Sequence, residues 1–189
     1  MPLAYLGLGS NEGPRAHHLQ MAVHRLHVVP GAHVTAVSPV YESEAHTLRP
    51  EETQPPFLNA VAALETRLSP EALLREAQRI ERVEGRQREE DKRWQPRPLD
   101  IDLLVVGAER RDTDMLSLPH PRLADRRFVL RPWADLAPNL RVPPPFDRPV
   151  RALLAACPDT AALASSDVTL TIPGTQEAPP VADDGPPVD

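Results

Sequence analysis

Twenty-four of the 189 residues are proline, and where they fall limits how long any helix or strand can run. Leu3 to Leu8 is a short apolar run closed by Gly9 and reads as a buried strand. Pro14 can open a helix, and Leu19, Ala22, Val23 and Leu26 recur at helical spacing until Pro30-Gly31 ends it. Val34, Ala36 and Val40 lie in a β-branched stretch ending at Tyr41, a second strand, and a polar, proline-bearing loop fills Glu42 to Pro56. Phe57 to Leu64 is a third strand with Leu58, Ala60, Ala62 and Leu64 on one face. Ser69 is a helix N-cap with Pro70 at the first helical position, and Gly85 is a natural stop. A charged loop from Arg86 to Pro98 then leads into Leu99 to Val106, a fourth strand. The order β-α-β-β-α-β predicts an α+β fold. It is a ferredoxin-like antiparallel sheet with helices packed on one face, plus short C-terminal additions that include a helix around Phe128 to Leu136.

Prolines thicken toward the end. Pro173 to Asp189 holds five of them, four acids and almost nothing large to bury, so it cannot offset the entropy of ordering and is expected to be a disordered tail. The folded domain is expected over residues 1–165, with Val142 to Pro149 as a stiff connector within it. Net charge is -6, which disfavours a general nucleic-acid coat, and no run approaches the ~18 apolar residues of a membrane span. The start Met1-Pro2-Leu3 lacks a secretory pattern, and the lone Cys157 cannot make an internal disulfide. A cytoplasmic location is the expectation.

The most informative stretch is Arg97-Pro98-Leu99-Asp100-Ile101-Asp102-Leu103. Strand alternation sends Leu99, Ile101, Leu103 and Val105 one way and Asp100 and Asp102 the other, with Cα atoms about 7 Å apart. Two carboxylates on one face repel each other unless a cation lies between them, and oxygen donors of this kind suit magnesium. An isolated D-x-D is also common on half-exposed strands facing water, but aspartate is a poor strand former and two in one apolar strand weaken that bland reading. The preceding loop carries Arg86, Arg88, Lys92, Arg93 and Arg97 with Trp94, a set that can grip outer phosphate oxygens and close over a nucleotide. A solvated mixed-charge loop is the alternative. His120, between Pro119 and Pro121, can donate to a phosphate or contact a base, or simply mark a surface turn. Arg126, Arg127 and Phe128 follow it. His17, His24 and His27 share a helical sector without a partner at metal-binding spacing, and Gly7-Leu8-Gly9-Ser10-Asn11 completes neither the dinucleotide fingerprint nor a P-loop.

Taken in order, YLGLGSNEG (from Tyr5), SPVYESEA (from Ser38), PPFLNAVAALET (from Pro55), QRIERVEGRQR (from Gln78), RWQPRPLDIDLLVVG (from Arg93) and LPHPRLADRRFVL (from Leu118) resemble the 6-hydroxymethyl-7,8-dihydropterin pyrophosphokinase family of the folate pathway. The resemblance covers about residues 3 to 140. It implies transfer of pyrophosphate from ATP to the hydroxymethyl group of a reduced pterin, with release of AMP. It further implies that Asp100 and Asp102 hold two Mg2+ ions on the ATP phosphates, with Arg86 and Arg97 as catalytic phosphate contacts. Leu74, Gln78, Arg88, Trp94, Leu103, Ser117, His120 and Arg126 are implied on the nucleotide side. Phe57 and Phe128 are implied to sandwich the pterin, while Asn59 and the backbone near Ser43 read its edge. Glu81 and Asn11 match family positions without an implied role. The chain departs from the family pattern at Ala45, Thr47 and Pro121 and in a longer arginine-rich loop. Small-molecule substrates, a monomer or weak homo-oligomer, and no nucleic acid or membrane partner are the accompanying expectations. A different magnesium-dependent phosphotransferase or nuclease, or a nucleotide-binding module without turnover, would keep the acidic pair. A nuclease, however, has no use for Phe57, Asn59 and Phe128 around one pocket.

Overall fold

The apolar run near the start of the chain becomes a central strand. In the computed structural model, which describes residues 1–45, 54–86 and 95–175, β1 (Leu3–Ser10) lies between β4 (Phe57–Thr66) and β5 (Asp100–Val106), antiparallel to both. The sheet order is β5-β1-β4-β3-β8, with β3 at Tyr41–Ser43 and β8 at Leu163–Ser165, and β2 (Ala32–Val37) also pairs with β4. That is the order expected of the ferredoxin-like pattern, with β2 and β3 sharing the outer flank of β4.

The single strand expected up to Tyr41 is two strands. Pro39 has no N–H to give the ladder, and before it Ser38 bends the chain: its N–H donates to the Val61 carbonyl at 2.9 Å while its hydroxyl accepts from the Val61 N–H at 2.8 Å. A second correction concerns Val105. Tyr5 pairs with Val105 but Leu6 with Leu103, so Leu104 is an extra residue on β5 and the alternation changes phase there. Leu99, Ile101 and Leu103 enter one core with Val106, while Leu104 and Val105 enter the other.

Helices cover both faces of the sheet, not one. Helices α1 (Arg15–His27) and α2 (Pro70–Val83) bury Leu19, Ala22, Val23, Leu26, Leu73, Ala77 and Ile80 against Leu58, Ala60, Ala62 and Leu64. Ser69 caps α2 by accepting from the Ala72 N–H at 3.2 Å, and Gly85 takes φ +95° just past its end. On the opposite face α3 (Arg127–Leu136) and α4 (Val150–Ala155) pack Val129, Leu130, Trp133, Val150 and Leu153 onto Tyr5, Val61, Ala63 and Leu104. The Val142 to Pro149 segment is a closed loop, not an open connector: the Val142 N–H donates to Arg148 and the Val150 N–H to Leu140. Chain packing runs on past β8, with Leu170 buried beside α1 and the Gln20 side chain bonded to Thr171. Among the described residues no helix is long and apolar enough to cross a membrane.

The end of α2 is pinned to α1 by Glu84. Its carboxylate lies 2.9 Å from His18 Nδ1 and accepts from Arg25 Nε at 2.8 Å. Burial works to raise its pKa, but His18 and Arg25 outweigh that and hold it below the usual carboxylate range. A folded pKa below the unfolded value of about 4.3 means stabilisation that is full above that pH and lost as pH falls through the folded value. Glu84→Gln is therefore expected to lower the melting temperature at pH 7, with the gap to wild type closing below about pH 4. Thermal melts across that range check it, and an equal gap at pH 7 and pH 3 counts against the pinning.

Candidate active site

A row of residues across the sheet builds the site. Asp100 of β5 pairs with Gly9 of β1, Gly9 with Asn59 of β4, and Asn59 with Tyr41 of β3, so all four share the α3 face. One step along, Asp102 pairs with Gly7 and Gly7 with Val61. Glycine at two successive positions of that face leaves β1 bare between acidic β5 and polar β4. A Cβ at Gly9 would sit 3.6 Å from Phe57 and 3.9 Å from Asp100, and one at Gly7 would sit 3.9 Å from Asp102. The bare strand is the floor of a cavity of about 250 Å³, roofed by Arg126, Phe128 and Val129 at the start of α3. Neither glycine has positive φ, so their small size is what the site uses here.

The carboxylates are embedded in arginine. Arg86 donates to Asp100 and, at 2.5 Å, to Glu81, while Arg97 Nη1 lies 3.3 Å from the other Asp100 oxygen. Burial alone would raise the Asp100 pKa, but Arg97 and Arg86 outweigh it and hold the carboxyl below the usual range. Burial likewise opposes the Arg86 charge, and Asp100 and Glu81 more than restore it. Arg126 Nη1 donates to Asp102 Oδ2 at 2.7 Å, and His120 Nε2 is 4.0 Å from the same oxygen. The Arg122 N–H donates to His120 Nδ1 at 3.1 Å, so the ring proton sits on Nε2, facing Asp102. Burial, helped by Arg126 and Arg122, holds the His120 pKa below its ordinary value despite Asp102, which makes it a neutral donor near pH 7.

Two residues left without a role acquire one. Glu81, 1% exposed, rises from α2 to accept from the Ile101 N–H at 2.9 Å on the open edge of β5, and the same oxygen holds Arg86. Asn11, also 1% exposed, accepts from the Arg97 N–H at 2.8 Å and donates to the Pro55 carbonyl at 3.2 Å. Its own N–H donates to the Arg97 carbonyl at 3.2 Å. Arg97 is thus fixed by its backbone, while its Nε is buried with no hydrogen-bond partner among the described residues. A buried N–H left unmade costs about 1–3 kcal/mol, so this donor is set for an incoming oxygen.

At the other end of the cavity the Asn59 amide donates to Ser43 Oγ at 2.9 Å, and Phe57 and Phe128 both line the wall. Arg97 stands 5.7 Å from the Phe57 ring centroid and Arg126 5.8 Å from that of Phe128. Leu74, Gln78, Arg86, Leu103, Ser117 and His120 do not line the cavity: Arg86 and His120 reach it only through Asp100 and Asp102, Leu103 faces the α1/α2 layer, where Leu74 packs, and Ser117 lies on the short strand β7 (Ser117–Leu118), paired with β6 (Arg111–Asp112). Arg88 and Trp94 lie outside the described residues. Glu44, Arg122 and Asp125 line the cavity without having been singled out for it. Their only sequence signal is proximity to Ser43, His120 and Arg126.

Residues 5–138 match the family described as 7,8-dihydro-6-hydroxymethylpterin-pyrophosphokinase (HPPK). The 2-amino-4-hydroxy-6-hydroxymethyldihydropteridine pyrophosphokinase of Pseudomonas aeruginosa is 45% identical over 154 residues, covering 82% of this chain and 91% of that protein. The chain belongs to the HPPK family. The Bacillus subtilis enzyme of the same description is 42% identical, over 71% of this chain and 77% of its own. In fold, a crystal structure of Plasmodium falciparum HPPK-DHPS superposes with a TM-score of 0.60 at 15% identity, over 82% of this chain and 41% of that one. HPPK enzymes transfer pyrophosphate from ATP to hydroxymethyldihydropterin in folate synthesis, generally with Mg2+, and this chain is a pyrophosphokinase.

Asp100 and Asp102 fit the metal that such chemistry uses. Both are hard oxygen donors on one face, and arginine keeps Asp100 ionised. Each ionised carboxylate offers about four acceptor sites, and arginines occupy only some of them. Among the described residues no three of His, Cys, Asp and Glu form a metal cage. Magnesium usually takes one or two carboxylates and completes its shell with water and substrate phosphates, so a pair suffices.

Proposed function

We propose that the family reaction runs in this cavity, with the pterin between Phe57 and Phe128 and the ATP phosphates over Asp100 and Asp102. The observation that carries the reading is the row Asp100-Gly9-Asn59: an acidic pair and a polar edge-reader stand on one face, separated by the stretch of β1 where that face holds only Gly7 and Gly9. Asp100 and Asp102 would hold two Mg2+ ions, which when bound supply positive charge on the phosphate oxygens. Arg86 and Arg97 keep Asp100 ionised and aim guanidinium donors at the developing charge, the Arg97 Nε that has no partner among the described residues included. His120 adds a neutral Nε2–H donor. The pterin hydroxymethyl oxygen attacks the β-phosphorus, its bond to the oxygen bridging the α-phosphorus breaks, AMP leaves, and the hydroxyl proton passes to solvent. In a loose phosphoryl transition state, positioning and charge neutralisation carry most of the rate, which agrees with a site rich in arginine.

The pterin ring gains about a kcal/mol from each stacked aromatic face beyond area burial. Asn59 and Ser43 supply the hydrogen-bonding edge. Leu74, Gln78, Leu103 and Ser117 would border the adenosine on the outer side of β5, with Arg88 and Trp94 completing the nucleotide side. The domain is assigned to residues 1–165, with the packing of Leu170 and Thr171 against it continuing the same unit, while residues 176–189 of the expected tail lie outside the described residues. The protein is assigned to the cytoplasm as a monomer or weak homo-oligomer. Incubation with ATP, magnesium and the reduced pterin alcohol is expected to yield AMP and the pterin diphosphate in equal amounts. Release of ADP or orthophosphate in place of AMP overturns the reading.

A further inference from the structure

Three arginines line the cavity, and they differ in how their charge is met. Arg97 faces Asp100 at 3.3 Å and Arg126 faces Asp102 at 2.7 Å. Arg122 lines the same wall, is exposed, and has no carboxylate within ion-pair distance among the described residues, although Asp125 lies only three positions away. Its place is set by backbone: the Arg122 N–H donates to His120 Nδ1, and residues Leu123–Asp125 form a single 3-10 turn that continues into Arg126. The Arg122 side chain shares the cavity lining with Asp102, Asp125 and Arg126. A planar fork of donors that faces no carboxylate among the described residues, in a pocket whose other two arginines each face one, matches an anion with several outward oxygens.

We propose that Arg122 is a binding residue for the diphosphate this enzyme moves, gripping its outer oxygens while Arg97 and Arg126 stay engaged with the acidic pair. The assignment rests on the pyrophosphokinase reading of the cavity and deepens it. Arg122 would then distinguish ligands that carry the diphosphate from those that do not: it adds to the binding of ATP and of the pterin diphosphate, and nothing to that of AMP or the pterin alcohol.

The test is titration calorimetry in magnesium, comparing wild type with Arg122→Gln against four ligands: a non-hydrolysable ATP with a methylene bridge, the pterin diphosphate, AMP, and the reduced pterin alcohol. Loss of one charge-assisted contact is expected to weaken one or both diphosphate ligands by about tenfold, with AMP and the alcohol within about twofold. Which diphosphate ligand weakens tells whether the grip is made before transfer, after it, or throughout. Unchanged affinity for both diphosphate ligands overturns the proposal. An equal loss for all four also overturns it, because that marks general damage to the cavity wall. If wild type binds no pterin alcohol even with the methylene-bridged ATP present, the reading of this cavity as the transfer site falls and takes this one with it, an outcome separable from failure of Arg122 alone.

Discussion

Asp102→Asn is expected to lower turnover by about 10²-fold or more while leaving the melting temperature nearly unchanged. The substitution keeps the shape of the side chain and an oxygen that can still accept from Arg126, so the contact at 2.7 Å can survive. It removes the negative charge beside Gly7 on the cavity floor. If that charge stabilises a cation in the transition state by a few kcal/mol, each ~1.4 kcal/mol lost is a factor of ten in rate. Stability has little reason to fall, because the side chain is about a third exposed and among the described residues no backbone group bonds to it. Steady-state AMP formation at saturating substrates, repeated over a range of magnesium concentrations, gives the number. A rate close to wild type would remove the acidic pair from the mechanism.

Glu81→Ala should have the largest effect on stability, about 3–5 kcal/mol, because it breaks a buried charge pair and leaves partners behind. Glu81 is 1% exposed and serves two groups with one carboxylate oxygen. Without it the Ile101 N–H, on the open edge of β5, loses its acceptor, and Arg86 loses one of the two anions it meets among the described residues. Glu81→Gln should cost less, since an amide oxygen still accepts from Ile101 while the charge at Arg86 is gone. Urea unfolding midpoints for the two variants separate the backbone contribution from the ionic one. An alanine variant within about 0.5 kcal/mol of wild type would show that α2 does not hold β5 in this way.

Much of the architecture was legible because it is local. Apolar residues at helical spacing from Leu19 to Leu26 placed α1 and its buried face, Ser69-Pro70 marked the start of α2 and Gly85 its end, and alternation in β4 named the residues that face α1 and α2. The same alternation put Asp100 and Asp102 on one side of β5, and the resemblance supplied the family that the comparisons bear out. Where the reading departed from the structure, the missing information lay on another strand. Nothing in Leu99 to Val106 announces the extra residue at Leu104, since a bulge is defined by its pairing with β1. Likewise the division of one expected strand at Ser38-Pro39 depends on Val61, which occupies both the N–H and the hydroxyl of Ser38.

The site divides along the same line. Residue type and spacing by themselves determined which groups can do the chemistry: two carboxylates, a set of arginines, two phenylalanine rings and an amide. Only the folded chain decided how they meet. Gly7 and Gly9 look like a broken nucleotide fingerprint until β5 and β4 flank them and turn their missing side chains into a floor. Glu81 and Asn11 are ordinary polar residues until α2 brings one under Arg86 and the β1 terminus brings the other against Arg97. Periodicity encodes which face a side chain takes, because backbone geometry repeats every two or 3.6 residues. It carries nothing about which distant residue will stand opposite, and charge, burial and hydrogen bonding are properties of that encounter.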